Sequence, residues 1–360
     1  MDSFVGITHA KWHELKREKG NSIDPPYWPK ALFVSYRSLR NSHMRRKEDA
    51  IYGKDIQQTV IERPPVFIIG HWRSGTTLLH NYLSLDPQFA FPSIMDVSFA
   101  NSCLILESKI KQKMGAPEAE KRPMDNVQVS YRSPGEDEFA LAVLSLCSPL
   151  LAWPFPRNES FYDRYLTFQD VSENEVGKWK TTVLYYFKKL TFKYKKQLLL
   201  KSPTHTARIQ LLSELFPGAK FINIHRNPIH VYQSTLKLHK TAVNSSSLQK
   251  PPSLNQKKNN IISRYIEMYD AFFREKKLLS DDQFIDISFE EFEKDAVGQI
   301  TKIYEKLGLS GFTQARDEFI KMQKKNINYR KNVHEELSLQ ERNEIRDKWK
   351  ACFNYWNYNI

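Results

Sequence analysis

Two rhythms of apolar residues alternate along the chain. Val66-Phe67-Ile68-Ile69 is a short, wholly apolar run of the kind buried on both faces of a parallel sheet. After it, Leu78, Leu79, Tyr82 and Leu83 recur at i, i+1, i+4 and i+5, which predicts a helix that stops at Asp86-Pro87. The same grammar returns downstream. Gln197 to Lys201 reads as a strand and Thr204 to Phe216 as a helix ended by Pro217-Gly218. Lys220 to His225 is the next strand, and Pro228 to Leu238 the next helix, with Pro228 suited to its first turn. A last strand, Gln283 to Ile287, leads into Ser288-x-x-Glu291, a capping box, and a helix to about Leu307. Strands that alternate with helices predict an α/β fold, a parallel sheet with helices on both faces.

Residues 1–60 lack the strand signal and read as a helical N-terminal extension packed on the core, with the α/β domain over 61–360. Within the extension, Trp28 to Lys47 is helix-compatible. Phe33, Tyr36, Leu39 and His43 lie near one stripe, and Arg37, Arg40, Arg45 and Arg46 elsewhere. Such a stripe is expected to pack on its own domain; the alternative is that 28–47 lies on an anionic membrane as a peripheral contact. Residues 241–260, polar with two prolines and no periodicity, read as a flexible loop. Phe139 to Phe155 is apolar but carries Pro149 and Pro154 and is too short to span a bilayer, so it reads as a buried helix and its exit.

Charge narrows the partners without naming one. Lys and Arg number 54 against 41 Asp and Glu, a formal charge of +13. Nucleic acid, an acidic membrane surface and a phosphorylated co-substrate would all fit. No helix-turn-helix spacing, Cys/His finger, RNP-like aromatic set or lysine-rich arm is present, so no nucleic acid is expected. Cys103, Cys147 and Cys352 form no CxxC pair, which excludes a disulfide scaffold and a cysteine zinc site. No apolar run follows the charges of the first residues, so no secretory signal is read and a cytoplasmic location is expected.

Chemistry concentrates where strands give way to helices. Gly70-His71-Trp72-Arg73-Ser74-Gly75-Thr76-Thr77 joins the first strand to its helix, where free amides and the positive helix end can bind phosphate or sulfate. The spacing is that of a P-loop, but Thr76 stands where Walker A requires lysine, and the loop carries its cation at Arg73. Gly75 would let the backbone approach an anion, and the Thr76 and Thr77 hydroxyls can donate to its oxygens. In Ile224-His225-Arg226-Asn227-Pro228…Ser234, Arg226 projects from a strand's carboxyl end and Ser234 follows two turns into the helix, which suits a second phosphate.

Together the two segments resemble the PAPS-dependent sulfotransferases, which use 3′-phosphoadenosine 5′-phosphosulfate. In that family the Arg/Lys-Ser-Gly-Thr-Thr loop binds the 5′-phosphosulfate and the RNP…S segment the 3′-phosphate. The likeness covers roughly Pro64 to Leu238 well, and the arginine form of the loop is similar to the protein-tyrosine and bacterial branches. The cytosolic branch's RKGxxG motif is absent; Arg330-Lys331 is a substitute near the 3′-phosphate, or a surface pair. The resemblance implies a P-loop-type sheet, PAPS as co-substrate released as PAP, no metal, and a small-molecule, sugar or lipid hydroxyl as acceptor. It also implies a catalytic lysine at Lys201 and a leaving-group cation at Arg73.

The base is left open between Glu136, His205 and Glu138. Glu136-Asp137-Glu138 enters the apolar helix from Phe139 and can cap it or serve a pocket. His205 follows Lys201 by four residues, two more than the catalytic histidine of the cytosolic branch. The protein-tyrosine branch carries its glutamate after the strand that follows the first helix, where Phe91-Pro92-Ser93 has none. Two competing readings of the whole chain remain, a P-loop nucleotide-dependent kinase and a non-catalytic anion-binding or membrane-surface module.

Overall fold

The run Val66–Ile69 (β1) is buried at every residue and forms the middle of a five-stranded sheet in a computed structural model. The structure describes residues 4–107, 120–121, 128–326 and 336–359. Helices α1 (His9–Arg17) and α2 (Trp28–Gln58) precede β1, and α3 (Thr76–Leu83) follows it. The chain continues through β2 (Phe89–Ala90), α4 (Asp137–Ser145), α5 (Glu173–Tyr194), β3 (Gln197–Lys201) and β4 (Lys220–His225). Then come α6 (Pro228–Leu238), α7 (Leu254–Glu275), β5 (Phe284–Ser288) and α8 (Ala296–Leu307). The strand order is β2-β3-β1-β4-β5, parallel throughout, with Val66 opposite Leu199 on one side and Lys220 on the other.

Period-two alternation splits the strand residues between two cores. Phe67, Ile69, Leu198, Leu200 and Phe221 point into a large cluster shared with α1, α2 and α5. Val66, Ile68, Leu199, Ile222 and Ile224 point into a second cluster with α3 and α8. This is the helix-flanked parallel sheet that the alternation of runs predicts. Two elements differ from the expected bounds. The last helix is broken at Asp295, whose side chain caps the Gly298 amide (2.9 Å), so Phe289–Lys294 and α8 are separate. The segment from Thr204 begins as a tight turn over Pro203–Ala207, and its α-helix runs only from Ile209 to Leu215.

The stretch 241–260 is less of a loop than its polarity suggests. Helical turns at His239–Val243 and Asn244–Ser246 extend α6, and Ser253 starts α7 with a reciprocal capping box to Gln256. Only 247–253 lacks helix.

The stripe on α2 is also reversed. Ala31, Val34, Ser38, Asn41, Met44 and Glu48 face the protein, whereas Leu32, Phe33, Tyr36 and Leu39 are 70%, 51%, 71% and 55% exposed. The inward face holds by polar matching as much as by apolar area. Asn41 donates to the Val5 and Ile7 carbonyls at 2.8 and 2.9 Å. Glu48 meets Lys189 of α5 in an ion pair with neither side chain exposed, and it also accepts from the Leu104 amide at 2.8 Å.

That pair generates a stability prediction. Truncation of Glu48 leaves Lys189 charged and buried without its carboxylate. Glu48→Ala is expected to cost about 3–5 kcal/mol in urea unfolding. A change of under about 0.5 kcal/mol, the size of an ordinary surface effect, would show that the pair does not anchor α2.

Candidate active site

The carboxyl ends of β1, β3 and β4 open onto one edge of the sheet, where α/β folds bind ligands. They deliver the Gly70–Thr77 loop, Lys201 and Arg226 to that edge. Gly70 is fixed by close approach: with φ +136, a Cβ there would stand 2.4 Å from the Ile224 carbonyl oxygen. Its amide donates to Thr206 Oγ1 at 2.7 Å, which ties the loop to the segment after β3. Gly75 has φ +107, and a Cβ would strike the Phe289 ring at 2.3 Å. Its small size therefore serves packing of the loop against Phe289.

No side chain caps the N-terminus of α3, and Ser74 Oγ, fully buried, has no hydrogen-bonding partner among the described residues. Both features suit an anion that accepts from them. Arg73 holds a left-handed φ of +72, a costly setting for a residue with a side chain, and donates from Nε to Ser234 Oγ at 2.8 Å. Arg226 reaches the Arg73 carbonyl oxygen at 3.4 Å and lies 4.4 Å over the Phe289 ring. Its Nε lacks a partner among the described residues. Burial lowers the Arg226 guanidinium from its ordinary value against the pull of Glu290. Arg73 and Ser234, read from the sequence as belonging to different phosphates, thus share one hydrogen bond, and Arg226 reaches the backbone of Arg73.

The three acids at the start of α4 part company. Glu136, the residue before the first helical turn, reaches Lys201 Nζ at 2.5 Å, and Lys201 lies 3.5 Å from Thr77 Oγ1 in the loop. Asp137 accepts from Ser202 Oγ at 3.0 Å and lies 2.5 Å from His205 Nε2, both side chains fully buried. Burial alone would raise the Asp137 carboxyl, but the charge and hydrogen bond of His205 and the Ser202 hydroxyl hold it below its ordinary range. Glu138 takes both arms of the Arg208 guanidinium (2.7 and 3.2 Å) and the hydroxyls of Ser148 and Thr204 (2.6 and 2.9 Å). Every lone-pair direction of Glu138 is used, and the group is out of reach. Exposure separates the three candidates for the base: the Glu136 side chain keeps 20%, His205 none and Glu138 1%.

Sequence reasoning missed the partners that hold this arrangement. Arg208, fully buried over Phe168 and Trp179, stands one turn beyond Thr204, and that spacing was its only signal. The C-terminal tail gave none. Trp356 stacks on His225 at 4.6 Å, and Tyr358 donates to Glu290, whose other oxygen accepts from the Asn227 amide beside Arg226. Arg330 and Lys331 lie outside the described residues. Among the described residues no group of three His, Cys, Asp or Glu side chains is placed to hold a metal ion.

Comparison with known proteins bears on the family and the fold. A model described as "Sulfotransferase family" matches residues 64–314. The omega-hydroxy-beta-dihydromenaquinone-9 sulfotransferases Stf3 of Mycobacterium bovis and Mycobacterium tuberculosis are 30% identical over 361 aligned positions, 99% of this chain and 91% of theirs. Among solved structures, sulfotransferase STF9 of Mycobacterium avium superposes with a TM-score of 0.66 at 16% identity, over 98% of this chain and 97% of that one. STF1 of M. tuberculosis gives 0.66 at 16%, over 96% and 94%, so both share the fold. The kinase and the non-catalytic module give way, and the chain belongs to the sulfotransferase family.

Proposed function

We propose that this sulfotransferase uses PAPS and delivers the sulfuryl group to the hydroxyl of a lipid-like alcohol. One observation carries the reading. Lys201 stands between Glu136, the accessible carboxylate, and Thr77 of a loop with an uncapped helix end and a buried Ser74 hydroxyl that has no partner among the described residues. The 30% identity to enzymes named for a dihydromenaquinone alcohol supports a lipid among the small-molecule, sugar and lipid acceptors.

When bound, PAPS supplies an activated sulfuryl group whose bridging oxygen gains charge as its bond to sulfur breaks. Ser74, Gly75, Thr76 and Thr77 would hold the 5′ end, and Arg226 with Ser234 the 3′-phosphate. Glu136 takes the acceptor proton as the hydroxyl oxygen bonds to sulfur. The electron pair of the broken bond passes to the phosphate oxygen, where Arg73 and Lys201 offset its charge. His205, enclosed against Phe67 at 5.6 Å, acts on position instead: with Asp137 and Ser202 it fixes the strand end that carries Lys201. Residues 1–60 form a docking extension of a catalytic unit spanning 61–360 that works from the cytoplasm. No helix among the described residues is long and apolar enough to cross a membrane. The exposed apolar face of α2 favours contact with a bilayer surface, because 28–47 carries six cations and no acid.

Three outcomes follow. PAP without metal is expected to stabilise the fold by ~2.7 kcal/mol at a concentration about a hundred times Kd, read by thermal shift. No effect of PAP beside a clear effect of ATP-Mg²⁺ would end the PAPS reading. In turnover at saturating PAPS, Glu136→Gln is expected to lose roughly two to four orders of magnitude, with His205→Ala milder. Collapse in His205→Ala with near-normal Glu136→Gln would transfer the base role to the histidine. In co-sedimentation with anionic vesicles, Leu32→Glu with Tyr36→Glu is expected to weaken partitioning by more than about tenfold. Equal binding by both proteins would remove the membrane contact.

A further inference from the structure

The paired carboxyl ends of β4 and β5, with His225 opposite Ser288, are met by a segment that the reaction above leaves without a role. The short helix Lys350–Tyr355 is anchored by Trp349, which stacks on Tyr265 of α7 at 3.6 Å, and by Cys352 and Phe353, both buried. Asn357 follows it with a left-handed φ of +53, and the Tyr358 amide donates back to the Phe353 carbonyl at 3.0 Å. That turn sets two aromatic side chains on the strand ends. Trp356 lies flat on His225, with 4.6 Å between ring centres and 8° between planes, and donates to Asp286 of β5 at 2.9 Å. Tyr358 stands between His225 and Glu290, its hydroxyl 2.8 Å from His225 Nδ1 and 2.8 Å from a Glu290 oxygen.

Charge decides which group donates in this chain. Burial alone would raise the Glu290 carboxyl, but the Asn227 amide and the Tyr358 hydroxyl lead the groups that hold it below its ordinary range. It is ionised near pH 7 and only accepts. Burial pushes His225 down to about 4 against the pull of Glu290, so the imidazole is neutral. The phenol therefore donates to Glu290 and accepts from His225, which places the imidazole proton on Nδ1.

Each of these partners is next to Arg226 or beneath it. His225 precedes it, and Asn227, which follows, gives its amide to the other Glu290 oxygen at 3.0 Å. Phe289, the residue before Glu290, carries the guanidinium 4.4 Å over its ring. The Ser288 hydroxyl donates at 3.0 Å to the oxygen that Tyr358 uses. Glu290 also attracts the Arg226 charge, yet three donors already engage its carboxylate. The guanidinium Nε has no partner among the described residues.

We infer that Tyr358 is a positioning residue for the 3′-phosphate of the nucleotide: by engaging Glu290 and orienting His225, it keeps the Arg226 guanidinium available to that phosphate. This rests on the assignment of Arg226 to the 3′-phosphate in the reading above. A Glu290 relieved of the phenol turns its oxygen to the guanidinium that it already attracts, and so competes with the ligand.

The test compares PAP with adenosine 5′-phosphate, the same nucleotide without its 3′-phosphate, by calorimetric titration of the whole protein. The unmodified protein is expected to prefer PAP by at least about tenfold. Tyr358→Phe, which keeps the ring, is expected to weaken PAP roughly tenfold, the worth of one hydrogen bond to a charged group, and to leave adenosine 5′-phosphate unchanged. In turnover, KM for PAPS should rise with kcat at saturating PAPS unaltered. In an Arg226→Ala background the second substitution should add nothing. Equal weakening of both nucleotides, or a further loss of PAP affinity in the Arg226→Ala background, would overturn the positioning role, because a loosened fold or another route explains either. An unchanged preference for PAP in Tyr358→Phe would overturn it and leave the PAPS reading standing. No preference for PAP in the unmodified protein would overturn the 3′-phosphate assignment, and the role of Tyr358 with it.

Discussion

Three successive carboxylates cannot leave water together unless each finds its own partner, and much of the site follows from how Glu136, Asp137 and Glu138 are matched. Glu136 stands before the helix in extended backbone, and the helix start turns Asp137 and Glu138 about 100° apart. The three acids therefore diverge, toward Lys201, His205 and Arg208 in that order. All three partners lie on β3 or the turn after it, so α4 and the central sheet are locked in one register by charge as well as by apolar contact. Two of the carboxylates are consumed in the locking. The third, at the rim, keeps solvent access and meets Lys201, which lies beside Thr77 of the Gly70–Thr77 loop. A deeply buried pair is poor evidence of stability for its own sake, but removing one member is severe. The arrangement thus defines where Lys201 ends up more than how strongly the fold is held.

Legibility in the sequence tracked the range of the interactions. β1, β3, β4 and the helices after β1 and β4 were readable because each is set by local periodicity and by glycine or proline at its ends. The place of the Gly70–Thr77 loop was readable for the same reason, since a strand, Gly70, Gly75 and a helix follow within a few residues. The break at Asp295 was hidden because one side-chain cap overrides an otherwise continuous helical pattern. Roles among Glu136, Glu138 and His205 were not legible at all. They depend on Arg208 and Ser148, which reach Glu138 from other segments, and nothing in the local pattern distinguishes the acid that Arg208 takes. The tail residues Trp356 and Tyr358 are the extreme case, meeting His225 from more than a hundred positions away.

The outward stripe of α2 is a different kind of difference. Periodicity alone locates an apolar face but does not say what covers it. The helix also has a second, less apolar face, with Ser38, Asn41 and Glu48, and that one is buried because each polar group there finds a partner: the carbonyls of residues 5 and 7 for Asn41, Lys189 for Glu48. Polar complementarity outranked hydrophobicity in choosing the inner face, and the aromatic residues were left outside.

That choice has a mechanical consequence. The Glu48–Lys189 contact works as a key against rotation. Turning α2 by a single residue would swing the carboxylate about 100° away from the ammonium and strand both charges. The azimuth of Trp28, Leu32 and Tyr36 around the helix axis is thereby fixed relative to the sheet. A surface that engages those side chains meets the rest of the molecule at one heading, with roll and yaw already set before any substrate arrives.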